Sequence, residues 1–206
     1  MDDRILFTGC GRSGTRFTYY VLSRGLGFSV CFECPDEHQH LVSWCDGLRP
    51  DLPYTYCVAQ IRNPYLVLSS LWLSKPQSWG WADASLRRDT ELPGLRQPYE
   101  KNRKWNAVAL YAQWYTALLP MADFIFRIED AAVALPMLFS GQFGESWDTV
   151  ADAVSGVRTT CNTVPREKMF VTKTEIEEWC PEYAPTIALL AQRFGYKEPS
   201  CESSAS

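Results

Sequence analysis

The chain has 206 residues, with 20 Lys+Arg against 24 Asp+Glu, a formal net charge of -4 and 46% hydrophobic residues. That length defaults to one domain able to bury a core without disulfide or metal staples, and the composition excludes fibrous and disordered classes. The acidic balance speaks against a sequence-wide nucleic-acid binder, which carries a basic excess, but leaves room for a small anion held by a few local cations.

Residues 4–8 (RILFT) form an apolar run that ends in a glycine-rich turn, and residues 15–24 follow as a helical stretch stopped by Gly25 and Gly27. A second strand is expected over 28–32 (FSVCF). A third, over 54–61 (YTYCVAQI), is rich in β-formers and so buried on both faces. Asn63-Pro64 ends it, and a helix begins at 65–73. Residues 74–104 hold Pro76, Pro93 and Pro98 together with Trp79 and Trp81, and read as an irregular lid or insertion. A long helix over 105–119, a strand over 123–127, and helices over 131–139 and 147–154 come next. Thr172 and Thr174, followed by Glu175 and Glu177, open a final helix. Strands alternating with helices imply an α/β domain over 1–198, with a mostly parallel central sheet flanked by helices, and a small polar tail over 199–206.

No stretch approaches the roughly 18–20 apolar residues of a membrane span. The first residues, MDDRILFTGCGRSGTRF, set acids and glycines where a secretory signal is apolar. The expectation is a cytoplasmic protein without membrane or nucleic-acid partners. Its eight cysteines (10, 31, 34, 45, 57, 161, 180 and 201) are then reduced.

The segment Thr8-Gly9-Cys10-Gly11-Arg12-Ser13-Gly14-Thr15-Arg16 carries the most chemistry. A strand feeding a glycine turn and a helix start presents orphan N–H groups to an anion. The hydroxyls of Ser13 and Thr15 and the guanidinia of Arg12 and Arg16 add donors. Gly9, Gly11 and Gly14 fit G-x-G-x-x-G, and Glu33 lies about 20 residues on, as a dinucleotide site wants; the donors crowding the turn fit that reading poorly. A Walker A loop needs a lysine that Thr15-Arg16 does not supply. An ordinary glycine turn is the third reading.

A second motif, Ile61-Arg62-Asn63-Pro64 with Ser70 eight positions after Arg62, stands at the end of the third strand. Together the two motifs resemble the sulfotransferase family. Its 5'-phosphosulfate loop, P-[KR]-S-G-T-[ST], is similar to Gly11–Arg16, and its 3'-phosphate motif pairs a strand-end Arg with a Ser on the next helix. Phe32-Glu33, Ser43-Trp44, Trp105-Asn106 and Arg127-Ile128-Glu129-Asp130 extend the resemblance over residues 4–135. Arg16 replaces a hydroxyl, Phe32 replaces a histidine, and the C-terminal adenine and phosphate loop is matched loosely by Val164–Lys168.

The resemblance implies a P-loop NTPase-like sulfotransferase fold. The donor would be 3'-phosphoadenosine 5'-phosphosulfate, with no metal required, and the acceptor a hydroxyl or amine of a small molecule or glycan. Arg12 would bridge the transferring sulfonate and the 5'-phosphate, with Gly11, Ser13, Gly14, Thr15 and Arg16 around it. Arg62 and Ser70 would hold the 3'-phosphate, and Arg166 and Lys168 the far end of the donor. Glu33 is the first choice of base, because it follows the second strand next to the loop; His38 or His40 is the runner-up. Cys31-x-x-Cys34-x-x-x-His38-x-His40 admits a zinc reading; strand alternation sends the two cysteines to opposite faces, and no metal site is assigned. Phe17 divides between adenine stacking and core. Trp79 and Trp81 are acceptor contacts by their place in the lid, and Trp44, Trp72, Trp105 and Trp114 are core. With Arg12, Arg16, Arg62, Arg166 and Lys168 given to the donor, 15 basic residues remain against 24 acidic ones, so positive charge would concentrate at one cleft. The alternatives are a P-loop-like nucleotide or small-molecule kinase and a non-catalytic nucleotide-binding module.

Overall fold

The computed structural model describes residues 4–33, 40–44, 46–49, 51–74, 76–161 and 170–198. Arg166, Lys168, Cys34 and His38 lie outside them. The chain folds as two compact units. One unit spans Met1–Arg62 and Ala117–Arg166, the other Asn63–Thr116 and Glu167–Ser206.

The first unit is built on five parallel strands, β1 (Ile5–Thr8), β2 (Val30–Phe32), β3 (His40–Val42), β4 (Tyr56–Ile61) and β5 (Phe124–Arg127), in the order β2-β3-β1-β4-β5. The expected α/β fold with a parallel sheet is what the structure shows. Alternation along each strand separates two apolar faces. Phe7, Val42 and Val58 are in register across one face, and they pack with Val21, Leu22, Phe126, Leu135, Phe139 and Val154. Phe126 lies on β5; the others come from helices α5 (Ala131–Gln142) and α6 (Trp147–Cys161) and from the π-helical turn Val21–Gly25 that continues α1 (Thr15–Tyr20). Leu6, Cys31 and Leu41 point to the opposite face, against Leu52, Tyr54 and Cys57.

The sequence reading lacks β3. Its three residues are too short a run to show alternation, and they begin with a histidine. Cys31 is disulfide-bonded, which corrects the reduced state expected for it: spacing along the chain does not reveal which sulfurs a fold brings to bonding distance. Cys10, Cys57 and Cys180 are free thiols.

The second unit holds α2 (Pro64–Trp72), α3 (Pro76–Asp89), α4 (Arg103–Leu118) up to Thr116, α7 (Lys173–Trp179) and α8 (Ala184–Arg193). Asn63 caps α2 by accepting from the Tyr65 N–H at 3.0 Å, with Pro64 at the first helical position. Thr172 and Glu175 close a reciprocal capping box at α7, which stops at Trp179 and is followed by α8. From Asn106 to Tyr115, α4 is buried at every position, as expected of a helix enclosed on all sides. Helix α3 corrects the irregular reading of the 74–104 stretch. Trp79, Ala82, Asp83 and Leu86 recur at helical spacing and are all buried, a stripe that the flanking prolines and Gly80 obscure. Trp79, offered as an acceptor contact, is 1% exposed, whereas Trp81 is 65% exposed. Among the described residues, no helix is long and apolar enough to cross a membrane.

Candidate functional site

β1 lies centrally in the sheet, with β3 on one side and β4 on the other. The chain leaves β1 toward β2 and β3, then crosses to β4. The carboxyl ends of β1 and β4 therefore flank a topological switch point, where open parallel sheets hold their ligands. The glycine loop is at the end of β1, and Arg62 follows the last residue of β4.

The loop is closed by the Ser13 N–H donating to the Cys10 carbonyl at 3.0 Å. Arg12 takes a left-handed conformation (φ 71°), and its side chain is exposed. Gly14 caps α1 at φ 104°, with Ile128 packed so closely that a Cβ at Gly14 would lie 2.9 Å from Ile128 Cγ1. Both the backbone angle and the neighbour require glycine there. Ser13 is fully buried with its hydroxyl unpartnered, Thr15 is buried, and Arg16 is exposed on the first turn of α1. Phe17 packs on the core, the second of the two roles open to it. Cys10 is buried within the loop, and burial pushes its thiol far above the ordinary range, so it is no nucleophile at neutral pH.

Arg62 reaches the same loop. Its Nη1 donates to the Arg12 carbonyl at 3.3 Å. Two arginines 50 positions apart thus meet at the mouth of one turn. Ser70 is half-buried on α2, in the other unit.

Gln60, absent from the sequence-based assignment, holds the loop from below. It lies on the apolar face of β4 two residues after Val58, and it is fully buried. Its Nε2 donates to the Ser13 carbonyl at 3.2 Å, and its Oε1 accepts from the Thr18 hydroxyl at 2.6 Å. One side chain therefore ties the loop and α1 to β4. The available signal was a lone amide in the otherwise apolar strand YCVAQI.

Glu33 follows β2 with φ 59°. It is not next to the loop as the sequence reading has it, because β3 intervenes between β2 and β1. The connection runs through Ser43 and Trp44. Glu33 Oε2 accepts from the Ser43 hydroxyl at 2.9 Å and from the Trp44 N–H at 3.1 Å, and a Cβ at Gly11 would lie 3.4 Å from Trp44 Cε3. The Ser43-Trp44 pair noted in the sequence is the link between Glu33 and the glycine loop.

His40 fails as the alternative base. In register with Ile5 and Val30, it stands at the amino ends of the strands. That is about 10 Å below the loop at the usual rise per residue. It is 5% exposed, its ring sits 5.3 Å from that of Phe28, and burial lowers its pKa. It is a core histidine kept neutral. Among the described residues, no three His, Cys, Asp or Glu side chains form a metal-binding group.

No protein-family model matches the chain, and no curated protein matches its sequence. Among solved structures, that of mouse sulfotransferase SULT7A1 complexed with PAP is similar at a TM-score of 0.45, with 11% identity, covering 94% of this chain and 82% of that chain.

Proposed function

We propose that the chain is a sulfotransferase that takes 3'-phosphoadenosine 5'-phosphosulfate as donor. The observation that carries this reading is the hydrogen bond from Arg62 to the Arg12 carbonyl at the switch point. It joins the two segments whose residues resemble the family's 5'-phosphosulfate loop and 3'-phosphate motif. A kinase reading lacks the Walker lysine, since Gly14 is followed by Thr15-Arg16.

In this reading the loop N–H groups and Arg12 neutralise the phosphosulfate, and Arg62 contributes to the 3'-phosphate. Sulfuryl transfer asks for alignment and charge stabilisation rather than a covalent intermediate, as phosphoryl transfer does. The acceptor oxygen or nitrogen attacks sulfur in line, and the bond from sulfur to the phosphate oxygen breaks. The leaving phosphate carries the negative charge that Arg12 stabilises. Glu33 takes the acceptor proton, held in place by Ser43 and Trp44.

The test is transfer of labelled sulfate to a panel of phenols, amines and sugars. Arg12→Ala should lower kcat/KM by about a hundredfold or more, the cost of removing a group that stabilises transition-state charge. Full transfer by Arg12→Ala would refute the assignment, and ATP-dependent phosphoryl transfer to the same panel would favour a kinase.

A further inference from the structure

The second unit contains a cavity of about 400 Å³ that the proposed donor chemistry does not use. Its size is that of a small-molecule site. Trp105 and Tyr183 form an aromatic wall, their rings edge to face at 5.9 Å. Arg87 and Arg96 line the same space, each side chain about half exposed.

The loop that carries Arg96 is held in one shape by buried polar side chains. Asp83, side chain 5% exposed, accepts from Arg87 Nε at 2.9 Å, the Leu95 N–H at 2.6 Å and the Tyr99 hydroxyl at 2.9 Å. Gln113 exchanges two hydrogen bonds with the backbone of Gly94, and Asn106 two with the backbone of Arg96. Gly94, at φ 76°, leaves no room for a side chain: a Cβ there would collide with Asp83 Oδ1 and Arg87 Nε. Such a preformed wall reduces what binding must spend on ordering.

What this wall offers is hydrogen-bond donors. Arg87 commits Nε to Asp83 and Nη2 to the Leu95 carbonyl at 3.1 Å, leaving Nη1 unengaged. Arg96 commits Nη2 to Glu182 Oε1 at 2.8 Å and lies 3.9 Å over the Trp105 ring, leaving Nη1 and Nε unengaged. Asp83 already holds three donors, and Glu182, whose half-exposed carboxylate also lines the cavity, accepts from Arg96, from Trp105 Nε1 at 3.3 Å and from the Cys180 thiol at 3.4 Å. A ligand that completes the site must supply acceptor oxygens to planar guanidinium forks and a flat apolar body to the aromatic wall. From this geometry we infer that the cavity between Arg87, Arg96, Trp105 and Tyr183 is a binding site for a small aromatic carboxylate.

This inference does not rest on the sulfotransferase reading and stands or falls separately from it. The test is ligand-observed NMR on the full chain with benzoate, with neutral benzamide as the control. Benzoate should bind with a Kd of roughly 0.1–5 mM, the range open to so small a ligand, and benzamide at least about tenfold more weakly. Arg96→Gln should weaken benzoate by a similar factor. Glu182→Gln, at an exposed position, should tighten it several-fold by releasing Arg96 Nη2, and this keeps the inference testable if Arg96→Gln misfolds. Equal binding of benzoate and benzamide, absence of benzoate binding, or indifference to both substitutions overturns it.

Discussion

Replacing Gln60 by leucine isolates the tie beneath the glycine loop. The change puts an apolar side chain of similar bulk on β4 and removes the hydrogen bonds to the Ser13 carbonyl and from the Thr18 hydroxyl. Both partners sit in a buried environment, where losing a partner costs about 1–3 kcal/mol per group. Thr18 can turn its hydroxyl to a backbone carbonyl of the preceding turn, so the combined loss falls near 2–4 kcal/mol. For a chain of this size that is a drop in Tm of roughly 4–16 °C. Thr18→Val, which removes one bond, should lose about half as much, and the double variant should be less than additive because the residues share a bond. The functional readout is calorimetric titration with adenosine 3',5'-bisphosphate: Gln60→Leu should weaken binding by about tenfold, since a loop no longer pinned at Ser13 must be ordered by the ligand. A Gln60→Leu protein with unchanged Tm and unchanged affinity would refute the claim that this side chain sets the loop's shape.

Other perturbations separate further parts of the account. Glu33→Gln retains an acceptor for Ser43 and Trp44 but loses basicity, so a base role predicts a kcat loss of about 10²–10⁴ with little change in donor affinity; a loss of under threefold would reduce Glu33 to a residue that positions Trp44. His40 is held neutral by burial, with its folded pKa below the unfolded 6.5. Its contribution is fully present above pH 6.5 and is lost as pH falls below that value, at up to about 1.4 kcal/mol per pH unit; His40→Leu should flatten that limb of a denaturation series between pH 5 and 7. Gly94→Ala forces a Cβ against Asp83 and Arg87 at a positive φ, and should cost about 1–3 kcal/mol in chemical denaturation.

Much of the glycine loop was readable because its signals are local. A strand end, three glycines and a cluster of hydroxyls and guanidinia lie within nine residues, and Asn63-Pro64 marks a helix start by its own chemistry. The connection of Arg62 to that loop followed from the resemblance rather than from spacing, since no short-range rule joins positions 12 and 62. β3 was hidden because His40-Leu41-Val42 is too brief for a period to emerge, and its insertion between β2 and β1 moved Glu33 one strand outward. Helix α3 was hidden for a different reason: its stripe of Trp79, Ala82, Asp83 and Leu86 includes a charged residue whose partners, Leu95 and Tyr99, come from a later segment. Gln60 was unreadable as a loop support for the same cause. A buried amide declares its partners only once the strand it sits on has a neighbour.

The central claim is that the loop at Arg12 and Arg62 binds a 3'-phosphorylated adenosine nucleotide. The measurement that tests it most directly is a calorimetric titration of the chain with adenosine 3',5'-bisphosphate, set beside ATP and NAD, and repeated with Arg12→Ala and Arg62→Ala. The account predicts saturable binding of the bisphosphate, weaker or absent binding of the other two, and a loss of about tenfold or more for each substitution, as expected when a charged hydrogen-bond donor is removed. No binding of the bisphosphate, or affinities that neither arginine affects, would contradict it.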